Sequence, residues 1–153
     1  MPRVEIVLIL LVVVSILAWR FLPGWFTPPS PAPAAEVLEG EPSRIADGDT
    51  FTLLGRRVRL QGIDAPEMDT PDGPLARDHM TTLIGSGPVS CTDTGQRSYD
   101  RVVAVCHAGG RELGAAMVED GWAVEIRRFS GGRYAELEGA AADAARGMHA
   151  TPD

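Results

Sequence analysis

Arg44-Ile45-Ala46-Asp47-Gly48-Asp49-Thr50-Phe51-Thr52-Leu53-Leu54-Gly55-Arg56-Arg57-Val58-Arg59-Leu60-Gln61-Gly62-Ile63-Asp64-Ala65-Pro66-Glu67 is the stretch on which the fold turns. Arg44 to Ala46, Thr50 to Leu54 and Arg57 to Leu60 read as three short strands, broken at Asp47-Gly48 and at Gly55-Arg56. In the third, Val58 and Leu60 face one way and Arg57 and Arg59 the other. Paired as a hairpin, the second strand begins beside the end of the third, which brings Asp49 towards Asp64 and Glu67 at one sheet edge. Three converging carboxylates repel one another unless a cation sits among them. Hard oxygen ligands suit calcium or magnesium better than zinc. Spacing alone leaves a plainer alternative open, because Asp-Gly turns are common and Pro66-Glu67 can be an ordinary loop.

Working outward, Gly73-Pro74 opens a helical stretch that puts Leu75, His79, Met80, Leu83 and Ile84 on one face, and Gly85-Ser86-Gly87-Pro88 ends it. Val89 to Cys91 and Arg101 to Cys106 read as two further strands. Leu113 to Glu119 is a short helix closed by Gly121. The last helix, about Tyr134 to Arg146, turns Leu137, Ala140, Ala141 and Ala144 inward. The pattern predicts a mainly β (α+β) domain, an OB-type five-stranded barrel with about three helices, although a generic α+β sandwich fits it too. Cys91 and Cys106 fall on candidate neighbouring strands and can close a disulfide in an oxidising compartment, or remain buried thiols.

Before this domain, Ile6 to Trp19 is apolar apart from Ser15, and the run reaches Phe26 with Arg20 as its one charge. Twenty-one residues suffice to cross a hydrocarbon core of ~30 Å. Trp19, Trp25 and Phe26 suit the interface. Residues 1–26 are therefore read as one N-terminal transmembrane helix anchoring the chain. A cleaved signal segment is the alternative, but the Ala-x-Ala match lies far past the apolar run. Residues 27–42 form a Pro-rich tether, 43–149 the folded domain and 150–153 a tail. The domain then lies outside the cytoplasm, periplasmic or at the cell surface, or is secreted if the segment is cut. From Gly40 onward twelve Arg face eighteen Asp and Glu, a balance of −6. That excludes a protein that simply coats nucleic acid, since phosphate neutralisation supplies most non-specific affinity.

The Asp-Gly-Asp-Thr turn at 47–50 and the block Arg59-Leu60-Gln61-Gly62-Ile63-Asp64-Ala65-Pro66-Glu67 resemble the signature of the staphylococcal nuclease-like (thermonuclease) family. Ser98-Tyr99-Asp100-Arg101 is similar to the family's Tyr-Gly-Arg segment, with Asp100 where Gly is usual. Gly121-Trp122-Ala123 and Arg146-Gly147 also fit, while His149 stands where a Trp commonly closes the domain. The resemblance implies a calcium-dependent nuclease hydrolysing phosphodiester bonds of DNA or RNA by general-base activation of water. It implies Asp49 and Asp64 as calcium ligands with the Ala65 backbone carbonyl, Glu67 as general base, and Arg59 and Arg101 as the phosphate clamp. Tyr99 is a candidate for nucleotide stacking, with half-buried packing as the alternative. A catalytically weak or inactive OB-fold module that binds nucleic acid or a partner at the membrane is the rival, favoured by the acidic balance and Asp100. A purely structural envelope component is a second. The membrane and a nucleic acid are the partners implied; no protein partner is inferable.

His79, His107 and His149 lack metal-ligand spacing. Asp93-Thr94-Gly95 matches a short aspartic-protease triplet, but the polar Gln96 and Arg97 beside it argue against that use. Arg127-Arg128 reads more simply as a solvated pair than as a substrate contact.

Overall fold

The computed structural model describes residues 35–150. The apolar run read as an anchor, the first half of the tether and the final three residues lie outside the described residues. Among the described residues no helix is long and apolar enough to cross a membrane.

In chain order the strands are β1 (Val37–Gly40), β2 (Pro42–Ile45), β3 (Thr50–Leu53), β4 (Arg56–Leu60), β5 (Ile63–Asp64), β6 (Val89–Ser98), β7 (Arg101–Ala108), β8 (Arg111–Glu112) and β9 (Val124–Glu125). The helices are α1 (Gly73–Ile84), α2 (Leu113–Glu119), α3 (Arg127–Ser130) and α4 (Ala135–Asp143), with a final 3₁₀ turn at Gly147–His149. The main sheet runs β1-β6-β7-β4-β3-β2, with β8 added to β7; β5 and β9 form a separate pair. Strands β1 and β2 stand at opposite ends of that order, yet only Glu41 separates them in the chain. Two Cα steps span at most ~7 Å. A flat row of six strands would hold its edges ~24 Å apart. The sheet therefore curls until its edges approach, giving a mixed α+β domain of OB-like form.

The interior follows from side-chain alternation. Phe51 and Leu53 on β3, Val58 and Leu60 on β4, and Val102, Ala104, Cys106 and Ala108 on β7 all enter one core. Met80 and Ile84 of α1, Leu113 and Met117 of α2, and Tyr134 close it. Cys91 and Cys106 lie directly opposite in the β6–β7 ladder and form a disulfide.

Several sequence expectations need correction. There are nine short strands rather than five, and four helices rather than about three. The region assigned to the tether contains β1, an edge strand held by main-chain pairing to β6 with only Leu38 turned into the core. Strand β6 continues to Ser98 instead of stopping at Cys91, because its Asp93–Arg97 segment carries a register shift that reads locally as a turn. Helix α1 buries Gly73, Ala76, Met80 and Ile84, leaving Leu75 exposed. A Cβ on Gly73 would lie 2.0 Å from the Glu67 carbonyl oxygen, so small residues set the helix's inner stripe and rotate Leu75 outward. Helix α4 likewise stops at Asp143 and buries Ala141, while Ala140 and Ala144 face solvent.

Candidate active site

The Asp47-Gly48 turn closes on itself: the Asp49 N–H donates to Asp47 Oδ1 at 3.0 Å and the Ala46 N–H to the Thr50 carbonyl at 2.9 Å. A Cβ on Gly48 would stand 2.7 Å from Ala65 Cβ and 2.9 Å from Ala76 Cβ, so only glycine lets the turn lie flat against both. That packing buries the next side chain. Asp49 is 3% exposed, and its Oδ1 accepts hydrogen bonds from Thr50 Oγ1 and Arg59 Nη1, both at 2.7 Å. The Ala65 N–H reaches Oδ2 at 3.2 Å. Burial still dominates: it pushes Asp49 up to about 6, although Arg59 and these hydrogen bonds pull the other way.

Arg59 stands opposite Thr50 in the β3–β4 ladder and joins the two acids. Its Nη2 donates to Asp64 Oδ1 at 2.7 Å and to the Ile63 carbonyl at 3.3 Å. Asp64 is 54% exposed, so one guanidinium spans a buried carboxylate and an open one. Glu67 is exposed just beyond, on a loop fixed by Thr70, whose N–H and hydroxyl both bond the Glu67 carbonyl.

Facing these acids is a guanidinium wall. Arg101 on β7 donates Nη2 to Ser98 Oγ at 2.9 Å and Nε to the Ser98 carbonyl at 3.3 Å, and meets no carboxylate among the described residues. Between wall and acids lies a pocket of about 380 Å³, whose lining includes Arg59, Asp64, Glu67, Arg97, Arg101 and Arg128. Four guanidinium groups and two carboxylates around one opening can hold an anion of the phosphate type while an acid faces it.

The structure thus brings Arg59, Asp64, Glu67 and Arg101 to one pocket, with Asp49 behind Arg59. Tyr99 is elsewhere. It sits at the β6–β7 turn with φ 58°, 95% exposed, and is absent from the pocket lining; Arg101 lies 5.9 Å from its ring centroid. The half-buried packing considered for this ring does not occur. Asp100 turns its carboxylate to Arg57 at 3.4 Å, so its charge is engaged away from the pocket. His149 ends the chain's last turn with Nε2 buried and unbonded among the described residues.

Of the arginines in the lining, the sequence reading missed Arg97 and set Arg128 aside as half of a solvated pair. Arg97 donates to Asp93 Oδ1 at 3.0 Å, beside the register shift in β6, and Arg128 lies 4.4 Å over the Phe129 ring on α3. Of the Arg127-Arg128 pair read as solvated, Arg127 approaches Glu125 at 3.7 Å and Arg128 lines the pocket. The signal available was the Asp93/Arg97 spacing of four residues, though an i,i+4 pair in a strand needs a bulge to meet.

A hard cation fits this donor set in part. Asp49 and Asp64 accept hydrogen bonds from the two Nη atoms of Arg59, so both carboxylates border one guanidinium. Among the described residues, however, no three His, Cys, Asp or Glu side chains form a metal-binding cluster. The expectation of three converging acids is corrected: Asp64 and Glu67 line the pocket, whereas Asp49 is buried behind Arg59 and outside that lining. Calcium accepts carbonyl and water oxygens beside two carboxylates, so two acids do not exclude it.

A small curled sheet thus carries one pocket lined by both guanidinium groups and carboxylates. The model of the staphylococcal nuclease homologue family matches residues 57–149, more than half of the chain, and the chain belongs to that family. The match begins after the Asp47–Thr50 turn and includes Arg59, Asp64, Glu67 and Arg101. Among curated relatives, the succinoglycan biosynthesis protein ExoI of Rhizobium meliloti is 31% identical over 119 residues, covering 70% of this chain and 62% of that protein. A micrococcal nuclease of Shigella flexneri is 34% identical over 110 residues, 63% of each chain. An uncharacterized endonuclease of Haemophilus influenzae is 30% identical over 92 residues, 57% of this chain and 52% of its own. The chain spans about three fifths of the length of the first two relatives and about half of the third.

Proposed function

We propose that this protein is a calcium-dependent nuclease that hydrolyses phosphodiester bonds in DNA or RNA. The observation that carries the reading is the single pocket in which Glu67 faces Arg59 and Arg101. Glu67 is the general base: exposed to the pocket, it takes a proton from the attacking water. Arg59 and Arg101 bind the nonbridging oxygens of the scissile phosphate and stabilise the charge that builds up on them during in-line attack. Guanidinium suits this task better than ammonium because its fork matches two phosphate oxygens at once. Asp49, Asp64 and the Ala65 carbonyl would hold calcium, which when bound neutralises a phosphate oxygen and orients the nucleophile. Family membership and the nuclease names carried by the relatives support the reaction class.

Residues 1–26 are proposed to anchor the chain in a membrane, with the catalytic domain on the extracytoplasmic side. The Cys91–Cys106 disulfide supports this, since such bonds persist in oxidising compartments.

The deciding experiment is hydrolysis of a fluorescent single-stranded oligonucleotide by the full chain in detergent, with calcium and with chelator. Calcium-dependent cutting that disappears in Glu67→Gln is expected. Cutting that persists unchanged in that variant would remove Glu67 from the mechanism. Tight binding without cutting would instead favour an inactive binding module.

A further inference from the structure

Fourteen arginines are set against twenty-one acids in this chain, so most cationic side chains are neutralised by a neighbour. The pocket follows that rule only in part. It gathers Arg59, Arg97, Arg101 and Arg128; Arg59 is paired with Asp49 and Asp64, and Arg97 with Asp93, whereas Arg101 and Arg128 meet no carboxylate among the described residues. Two of the four have been given clamp roles at the scissile phosphate. The other two have no assigned partner in the reaction, and each is held in place by contacts of its own.

Arg97 is fixed by Asp93, a buried acid whose Oδ1 also accepts the Gly95 N–H at 2.7 Å, and by the Gln96 carbonyl at 2.8 Å. Arg128 belongs to α3, which is fastened from beneath. Glu125 Oε1 accepts from Ser130 Oγ at 2.6 Å and from the Tyr134 N–H at 2.8 Å, and Gln61 Nε2 donates to the Phe129 carbonyl at 3.3 Å. The guanidinium lies with its carbon 4.4 Å from the Phe129 ring centroid, a cation–π contact. It meets no carboxylate among the described residues. The two arginines reach the pocket from different sheets. Arg97 comes through β6 and β7, whereas Arg128 follows β9, the partner of β5.

We propose that Arg128 and Arg97 bind backbone phosphates flanking the scissile one, so that these two side chains extend the contact along the strand beyond the reacting bond. The inference rests on the hydrolytic reading for which phosphate is scissile, but not for whether the strand binds. A chain with a phosphate at every step places anions on both sides of the bond to be cut. A mononucleotide ester supplies none, and two anchored cations would then face water.

The test is binding of the full chain in detergent to a single-stranded oligonucleotide of about ten nucleotides in chelator, across a salt series, beside a dinucleotide with one phosphodiester. Losing one phosphate contact on a single strand lowers the slope of log K against log salt by ~0.7. Arg128→Ala and Arg97→Ala are each expected to flatten the slope by about that amount and to weaken oligonucleotide binding about tenfold at low salt. Dinucleotide binding falls by less. Arg128→Lys, which keeps the charge, restores the slope. Arg111→Ala removes an exposed arginine paired with Glu119 and Asp120 outside the pocket, and should leave the slope as in the parent. Parental slopes in both pocket variants, or an equal change in Arg111→Ala, would overturn the proposal. If the slopes change as expected but the parent chain cuts nothing with calcium, the hydrolytic reading falls and the strand clamp stands. If it cuts and the slopes do not move, the reverse holds.

Discussion

The two walls of the pocket are built by different means. The acidic wall, residues 47–67, comes from one hairpin: Thr50 pairs with Arg59, the Leu60 N–H bonds the Asp49 carbonyl at 2.9 Å, and Arg59 bridges Asp49 to Asp64. The basic wall is assembled from segments far apart in the chain, the β6–β7 hairpin and α3, brought together by a parallel strand pair and by a two-stranded ribbon. In the first wall a buried charge is tied into the fold. In the second the cations sit on top of it. Stability and catalysis should therefore be coupled at the buried Asp49–Arg59 pair and separable on the basic side and at the exposed Glu67.

Glu67→Gln should have the largest effect. With no structural hydrogen bond to its carboxylate, kcat is expected to fall by roughly three orders of magnitude, as for loss of a general base, with an unchanged melting temperature. Arg59→Ala and Arg101→Ala sharpen the contrast. Both should lose about 10²-fold or more in kcat. Only Arg59→Ala should also cost about 3 kcal/mol in chemical denaturation, because it strands the buried Asp49 carboxylate. Equal stability losses in the two would break the distinction between the walls.

The pH response follows from Asp49. Its folded-state value near 6 lies above the ordinary 3.8, so this group's contribution to stability is fully present below about pH 4. It is lost as the pH rises through 6. In chelator, the parent chain should lose on the order of 2 kcal/mol between those limits relative to Asp49→Asn. Parallel profiles for the two would remove burial as the cause. The smallest effect is expected from Ser130→Ala, which deletes a hydrogen bond to Glu125 beneath α3. A cost of about 1 kcal/mol is expected, with a loss of oligonucleotide affinity and little change in kcat.

The same contrast explains what the sequence disclosed. Asp49, Asp64 and Glu67 were brought near one sheet edge by the hairpin reading, while their roles and that of Arg59 came from the resemblance. Arg101 was found through the resemblance rather than through periodicity. Arg97 was not found, and Arg128 was set aside as half of a solvated pair. Arg97 depends on a register shift that period-two reasoning cannot represent. Arg128 depends on a four-residue helix too short to leave a periodic trace. β1 was hidden for a related reason, since an edge strand with one buried side chain carries almost no hydrophobic pattern. The Leu75 error came from weighing apolar residues without allowing for glycine and alanine at close contacts.

The Cys91–Cys106 bond encloses residues 92–105, and within that ring lie Gln96, Arg97, Tyr99 and Arg101. Its outermost point, around the exposed Tyr99, is where a passing protease would cut first. Such a nick would not shed either fragment. The clipped protein would migrate as one species on a non-reducing gel and as two once dithiothreitol is added.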